Sequence, residues 1–217
     1  MPILFSQIFP INSLIRKVKF LEQWNGIYYE TYFDSINGFH TQTGNGSITL
    51  DSQKVTLSTG ATINNYATIY KSAPILNTTP KFDKVTKFKT SILISTRTNV
   101  FASVAIPVPI SNDTTSTSHI SFYIENNSLF GSTANGTSRS TLLLMSNLST
   151  SWFDLEILYI PSVSCQFFVN NNLVGTITTN LPLITDTIQQ IFNVWISTLE
   201  NADKDISLSY YRFMQEP

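Results

Sequence analysis

From residue 24 to its end the chain alternates short apolar runs with polar, turn-forming clusters. Tyr28 to Asp34 is aromatic and β-branched and stops at Ser35-Ile36-Asn37-Gly38. Ser47 to Leu50 and Val55 to Ser58 flank the polar turn Asp51-Ser52-Gln53-Lys54, which predicts a hairpin. Tyr66 to Ser72 follows, then Lys84 to Thr96 and Val100 to Pro107 across Arg97-Thr98-Asn99. His119 to Glu125 and Leu129 to Ser132 bracket Asn126-Asn127, and Thr141 to Met145 is a further short strand. Trp152 to Ile160, Val163 to Asn170 and Leu173 to Thr179 make a meander with Asn170-Asn171-Asn172 as its tight turn. Ile191 to Leu199 and Ile206 to Phe213 close the chain. Roughly fourteen closely spaced strands, with turn signals between them and no repeat period, predict an all-β, two-sheet antiparallel jelly-roll sandwich.

Residues 1–23 follow a different pattern. Leu14, Ile15, Val18 and Leu21 fall on one face at helical spacing, Arg16, Lys17 and Lys19 lie elsewhere, and Ser13 stands where a cap would. Pro2 and Pro10 keep the first dozen residues extended. This stretch is read as a short N-terminal assembly arm ahead of one domain spanning 24–217. Its apolar start precedes its basic residues, the reverse of a signal peptide. The longest apolar stretch, Val100 to Ile110, is too short to cross a bilayer and contains Pro107 and Pro109. The expectation is a chain made in the host cytoplasm, with no transmembrane segment.

Composition narrows the chemistry. Thirteen basic and 14 acidic side chains leave a net charge of −1, which offers no broad basic field for duplex nucleic acid. Only 12% of residues are charged, half the usual share, while Ser (26), Thr (27) and Asn (19) are abundant. A chain poor in Lys and Glu and rich in Thr, Ile, Phe and Tyr favours strands over helices. The single cysteine, Cys165, excludes an internal disulfide and a multi-cysteine zinc site; it shares a face with Val163, Phe167 and Val169 and reads as a buried thiol.

The last third carries a longer pattern. Trp152-Phe153-Asp154-Leu155-Glu156-Ile157 leads into Val163-Ser164-Cys165-Gln166-Phe167-Phe168-Val169-Asn170, then Asn171-Asn172-Leu173-Val174-Gly175-Thr176, Pro182, Phe192-Asn193-Val194-Trp195 and a final strand from Ile206 to Phe213. This resembles the concanavalin-A-like lectin/glucanase jelly roll of family-sixteen glycoside hydrolases and laminin-G-like modules. In those, a Trp opens a strand, a "FYVNG-LV" hairpin follows, then an "N-x-W" strand and a "DYVRV"-like end. Phe33-Asp34-Ser35-Ile36-Asn37-Gly38-Phe39, Gly46-Ser47-Ile48-Thr49-Leu50 and Val55 to Gly60 resemble the opening of such domains in viral and microbial surface proteins. The resemblance covers roughly 24–217 and implies the sandwich, with a hydrolase or a sugar-binding role among its known uses.

The chain departs from the hydrolase pattern. A glycosidase of that kind sets Glu-x-Asp-x-Glu on one strand, so that two carboxylates face the scissile bond. No such motif occurs among six glutamates; the nearest, Asp154-Leu155-Glu156, lies on the strand resembling the structural Trp strand and reads as a solvated outer face. Ser209 stands where relatives often carry an Asp. Asn201, Asp203 and Asp205 alternate like a calcium loop but lack its glycine, and Arg212 takes the place of its closing Glu. Lys81, Lys84, Lys87 and Lys89 interleave with Phe82 and Phe88, a pattern that reads as a charge-guarded, solvated strand edge and not as a nucleic-acid grip. His40 and His119 are isolated. No catalytic set, metal site or cofactor is expected.

One face remains as a candidate. Along Ile191 to Leu199, Phe192, Val194 and Ile196 read as core, which turns Asn193, Trp195 and Ser197 outward. Tyr66, Thr68 and Tyr70 form a similar face. An aromatic ring among hydrogen-bonding groups is what stacks on a sugar ring and orients its hydroxyls. The expected glycan contacts are therefore Trp195 as platform, Asn193, Ser197, Tyr66 and Tyr70. Together these features lead to an expected non-enzymatic virion surface or capsid-vertex component, homo-oligomeric, contacting other capsid proteins and attaching to host glycans. The alternatives are a stand-alone carbohydrate-binding module or lectin, extracellular or on a cell surface, and a divergent glycoside hydrolase.

Overall fold

The computed structural model describes residues 26–73, 79–107 and 116–217. The expected arm residues Leu14, Ile15, Val18 and Leu21 lie outside these, as do Trp24 and positions 111–115 of the polar Ser111 to Ser118 segment. The described residues form fifteen strands in two antiparallel sheets. One sheet runs β13 (Asn172–Ile177), β12 (Ser164–Val169), β11 (Phe153–Ile160), β6 (Thr86–Ile94), β15 (Asp205–Gln215), β4 (Lys54–Ser58) and β3 (Ser47–Asp51). β1 (Ile27–Thr31) joins it on the second half of β15. The other runs β10 (Arg139–Ser146), β9 (Ser128–Ala134), β8 (His119–Glu125), β7 (Val100–Ile106), β14 (Gln190–Thr198), β5 (Tyr66–Ser72) and β2 (His40–Thr43). This is the expected two-sheet jelly-roll sandwich, with β2 added to the fourteen strands foreseen.

Tight hairpins join neighbouring strands with left-handed turn residues. Asn126 and Asn127 have φ of 47° and 62°, and Asn170 and Asn171 have 49° and 65°. Two consecutive positive φ values give the turn whose twist matches paired strands, and Asn tolerates that conformation better than any residue but Gly.

Period-two alternation sets what each strand buries. In β6, Thr86, Phe88, Thr90, Ile92 and Ile94 are buried while Lys87, Lys89, Ser91 and Leu93 face out. In β11, Phe153, Leu155, Ile157 and Tyr159 turn inward. The inward residues of both sheets meet in one core, with edge-on aromatic contacts between the layers: Phe88 with Phe122, Phe122 with Phe167, and Phe192 with Tyr211. Such contacts contribute about 0.5–1.5 kcal/mol each beyond the area they bury. Cys165 is fully buried there, and burial raises its thiol pKa well above the usual value.

β15 changes phase part-way. Ile206 and Leu208 are buried, then Tyr211 and Phe213, so the inward set passes from even to odd positions. A bulge between Leu208 and Tyr210 leaves Ser209 as the extra residue that permits the change. The outer face of this sheet is a charge ladder. Lys87 pairs with Glu156 at 2.8 Å and Lys89 with Asp154 at 3.2 Å, so Asp154 and Glu156 carry out strand-to-strand pairing. Arg212 grips Glu30 at 2.6 and 3.1 Å, fastening β1 to β15.

Candidate functional site

The second sheet differs from the first. Every residue of β7 is buried, as is every residue of β8 but Glu125, although one face of each points away from the core. The register defines that outward face. One row across the strands is Gln42, Thr68, Trp195, Ser103, Tyr123, Phe130 and Leu143. The next is His40, Tyr70, Asn193, Ala105, Ser121, Ser132 and Thr141, and a third includes Tyr66, Ser197, Phe101 and Glu125. Rings thus alternate with small or hydrogen-bonding side chains. In the described strands of this sheet, Glu125 is the one acidic residue.

The pairing brings all five sequence-predicted residues onto this face, with Val194, Ile196 and Phe192 buried on the other side. Trp195 is half-buried, and one face of its indole lies against Tyr66, at 4.3 Å between ring centroids and 9° between planes. It also packs on a small cluster of Phe101, Ala105 and Tyr123, with Phe130 beside them. The Tyr66 hydroxyl accepts a hydrogen bond from Gln42 Nε2 at 2.8 Å. Asn193 is buried and donates from Nδ2 to Gln190 Oε1 at 2.7 Å. Ser197 is nearly buried, at the far end of the face from Tyr70.

Two residues here escaped sequence reasoning. His40, exposed, stacks on Tyr70 with centroids 4.7 Å apart and planes 14° apart. Gln42 holds Tyr66. Both belong to β2, whose sequence His-Thr-Gln-Thr has no apolar residue and no buried position. The available signal was polar alternation after the Gly38 turn, too short to separate from a loop.

The other end of the face is polar. His119 Nδ1 lies 2.5 Å from the Thr117 carbonyl and Nε2 lies 2.8 Å from Ser132 Oγ, and that oxygen accepts from Arg139 Nε at 2.8 Å. The Arg139 guanidinium sits 4.9 Å over the Tyr123 ring. Burial lowers the His119 pKa from 6.5 to about 4, and the Arg139 charge acts in the same direction against the opposing Thr117 hydrogen bond. His119 is therefore neutral at pH 7.

The calcium-like residues are engaged in loop closure. Asp203 accepts from Ser58 Oγ at 2.7 Å and from Gly60 N at 2.8 Å, and Asn201 Oδ1 accepts from Ile63 N at 3.0 Å. Among the described residues, no group of three or more His, Cys, Asp or Glu is placed to hold a metal ion.

No protein-family model matches the chain, and no curated protein sequence does. Solved structures do. A Shewanella oneidensis protein of unknown function aligns over 95% of this chain and 95% of its own, with TM-score 0.62 and 13% identity. The Bacillus licheniformis β-glucanase aligns over 89% and 99%, with TM-score 0.60 and 12% identity. The carbohydrate recognition domain of Emp47p aligns over 83% and 90%, with TM-score 0.58 and 10% identity. The fold is that of the concanavalin-A-like lectins and glucanases. At such identities the likeness carries the architecture and no residue roles.

Proposed function

We propose that this chain is a carbohydrate-binding domain without hydrolase activity, and that its binding surface is the outward face of the seven-stranded sheet from β2 across β14 to β8. The observation that carries the reading is the pair of stacked ring couples, His40 with Tyr70 and Tyr66 with Trp195, set among Gln42, Thr68 and Asn193. Rings beside fixed hydrogen-bonding groups suit a ligand whose faces are apolar and whose edges bear hydroxyls. Similarity of fold to a β-glucanase and to a carbohydrate recognition domain is consistent with this. The non-enzymatic part rests on the carboxylates: hydrolysis by the two-carboxylate route needs a pair about 5–9 Å apart, and the described strands of this sheet carry Glu125 alone.

The test is a glycan array and calorimetric titration with soluble polysaccharides, run beside a reducing-end assay. Binding that is weakened by Tyr70→Ala, with no release of reducing ends, supports the proposal; turnover of any probe refutes its second half. The virion-surface setting, with capsid partners and host attachment, is a proposal carried by the sequence alone. Co-sedimentation of the chain with particles, against its recovery free, decides it.

A further inference from the structure

Among the polar atoms of this face that are desolvated without a partner, three lie close together on β14 and β8: Trp195 Nε1, Asn193 Oδ1 and Ser121 Oγ. Asn193 and Ser121 themselves are 1% and 0% exposed. They are neighbours by register. Asn193 and Ser121 stand on either side of Ala105, opposite it on β14 and β8, and Trp195 lies two residues from Asn193 on the same face. Strand spacing puts the Cα atoms of Asn193 and Ser121 roughly 10 Å apart, and Asn193 and Trp195 roughly 7 Å apart. A triangle of that size, floored by the Ala105 methyl, matches the edge of one sugar ring and its substituents.

We infer that Trp195 serves the proposed surface as a hydrogen-bond donor and not as a stacking platform, and that with Asn193 and Ser121 it selects an uncharged sugar through its hydroxyls. This rests on the carbohydrate-binding reading of the same face. Tyr66 lies against one face of the indole, so a sugar cannot stack there, whereas the N–H has no acceptor. Asn193 has given one amide N–H to Gln190, and its Oδ1 is left without a donor. A hydroxyl answers both neighbours, because it donates to Asn193 Oδ1 and accepts from Trp195 Nε1. A carboxylate or sulfate only accepts; it satisfies the indole and sets its charge against the amide oxygen. None of the three atoms reaches solvent, so the ligand reaches them only as the half-buried side chains around them shift. Desolvated polar atoms without partners are rare and costly in folded chains, which is what makes a cluster of three on one face informative.

The experiment uses Trp195→Phe, which keeps a ring against Tyr66 and removes only the N–H, with Trp195→Ala and Ser121→Ala for comparison. Soluble β-1,3-1,4-glucan and mannan are the neutral probes and polygalacturonate the charged one; melting curves confirm that each variant folds. The wild type should favour a neutral probe, Trp195→Phe should bind it about tenfold more weakly, and the Trp195 indole N–H proton resonance should move on titration. Wild-type binding unchanged in Trp195→Phe, or tighter binding of polygalacturonate, overturns the inference while leaving carbohydrate binding intact. No binding of any probe by the wild type overturns the reading and the inference together.

Discussion

Acid should destabilise this domain through one histidine. The Thr117 carbonyl only accepts, so His119 carries its proton on Nδ1 and presents a bare Nε2 to the Ser132 hydroxyl. Ser132 Oγ is then free to accept from Arg139. A second proton on Nε2 makes that hydroxyl turn its own proton away, and puts a cation in a buried site with a guanidinium behind it. The pKa falls from 6.5 to about 4 because burial disfavours the cation, with Arg139 adding to the effect. Between those values the unfolded chain holds a proton that the folded chain does not, so stability rises with pH across the window. It is complete above about pH 7 and drains away as pH falls from 6.5 towards 4. The full difference is about 3 kcal/mol at 1.36 kcal/mol per pKa unit, of which about 2.5 kcal/mol is lost by pH 4.5. For a domain of this size that is a melting shift of roughly 5–10 °C. Urea unfolding at steps from pH 7.5 to 4.5, wild type beside His119→Gln, isolates the term, because carboxylate contributions are common to both proteins. The two curves should converge as pH falls. Parallel curves, or a His119 resonance titrating near 6.5, refute the reasoning.

Two further outcomes follow from packing and loop closure. A methyl at Gly131 lies 2.8 Å from three atoms of the fully buried Phe167 ring, itself held edge-on by Phe122, so Gly131→Ala should destabilise by about 1–3 kcal/mol in urea titrations and Gly131→Ala with Phe167→Leu should recover part of that. Asp203→Ala leaves Ser58, Thr59 and Gly60 without their shared acceptor and should lower stability by about 1–2 kcal/mol, while calcium should leave the melting temperature of the wild type unchanged.

Alternation was enough to read most of the architecture, and it failed where alternation itself is absent or broken. β5 and β8 begin and end where their apolar patterns do, at Tyr66–Ser72 and His119–Glu125. β2 was missed because an edge strand exposed on both faces needs only backbone pairing, here to β5, and backbone pairing leaves no mark on side-chain identity. The bulge at Ser209 was hidden because Ile206, Leu208, Tyr211 and Phe213 read as one apolar run; only the registers with β4 and β6 show that the first two and last two sit in different phases. Asparagine has a local cause as well. Among the described residues, eight of the twelve non-glycine positions with positive φ are Asn, in a chain with only eight glycines. Much of the Asn excess is therefore turn chemistry, which weakens composition as an indicator of where the protein works.

The candidate site was legible as a face but not as a set of contacts, and the reason is general. Period two assigns each side chain to one of two sides, so Asn193, Trp195 and Ser197 separate from Phe192, Val194 and Ile196 without any knowledge of neighbours. Which side chain stands beside Trp195 depends on register with a strand about 130 positions away in sequence. Ser197 opposite Tyr66 puts Tyr66 diagonally next to Trp195, within reach of a large ring. A shift of two residues would have kept every side chain on its face and placed Thr68 or Asn64 opposite Ser197 instead. Alternation treats those registers alike, and so implies an indole with both faces open. Register, by bringing Tyr66 against that ring, closes one face of the outward tryptophan and leaves its indole N–H without an acceptor.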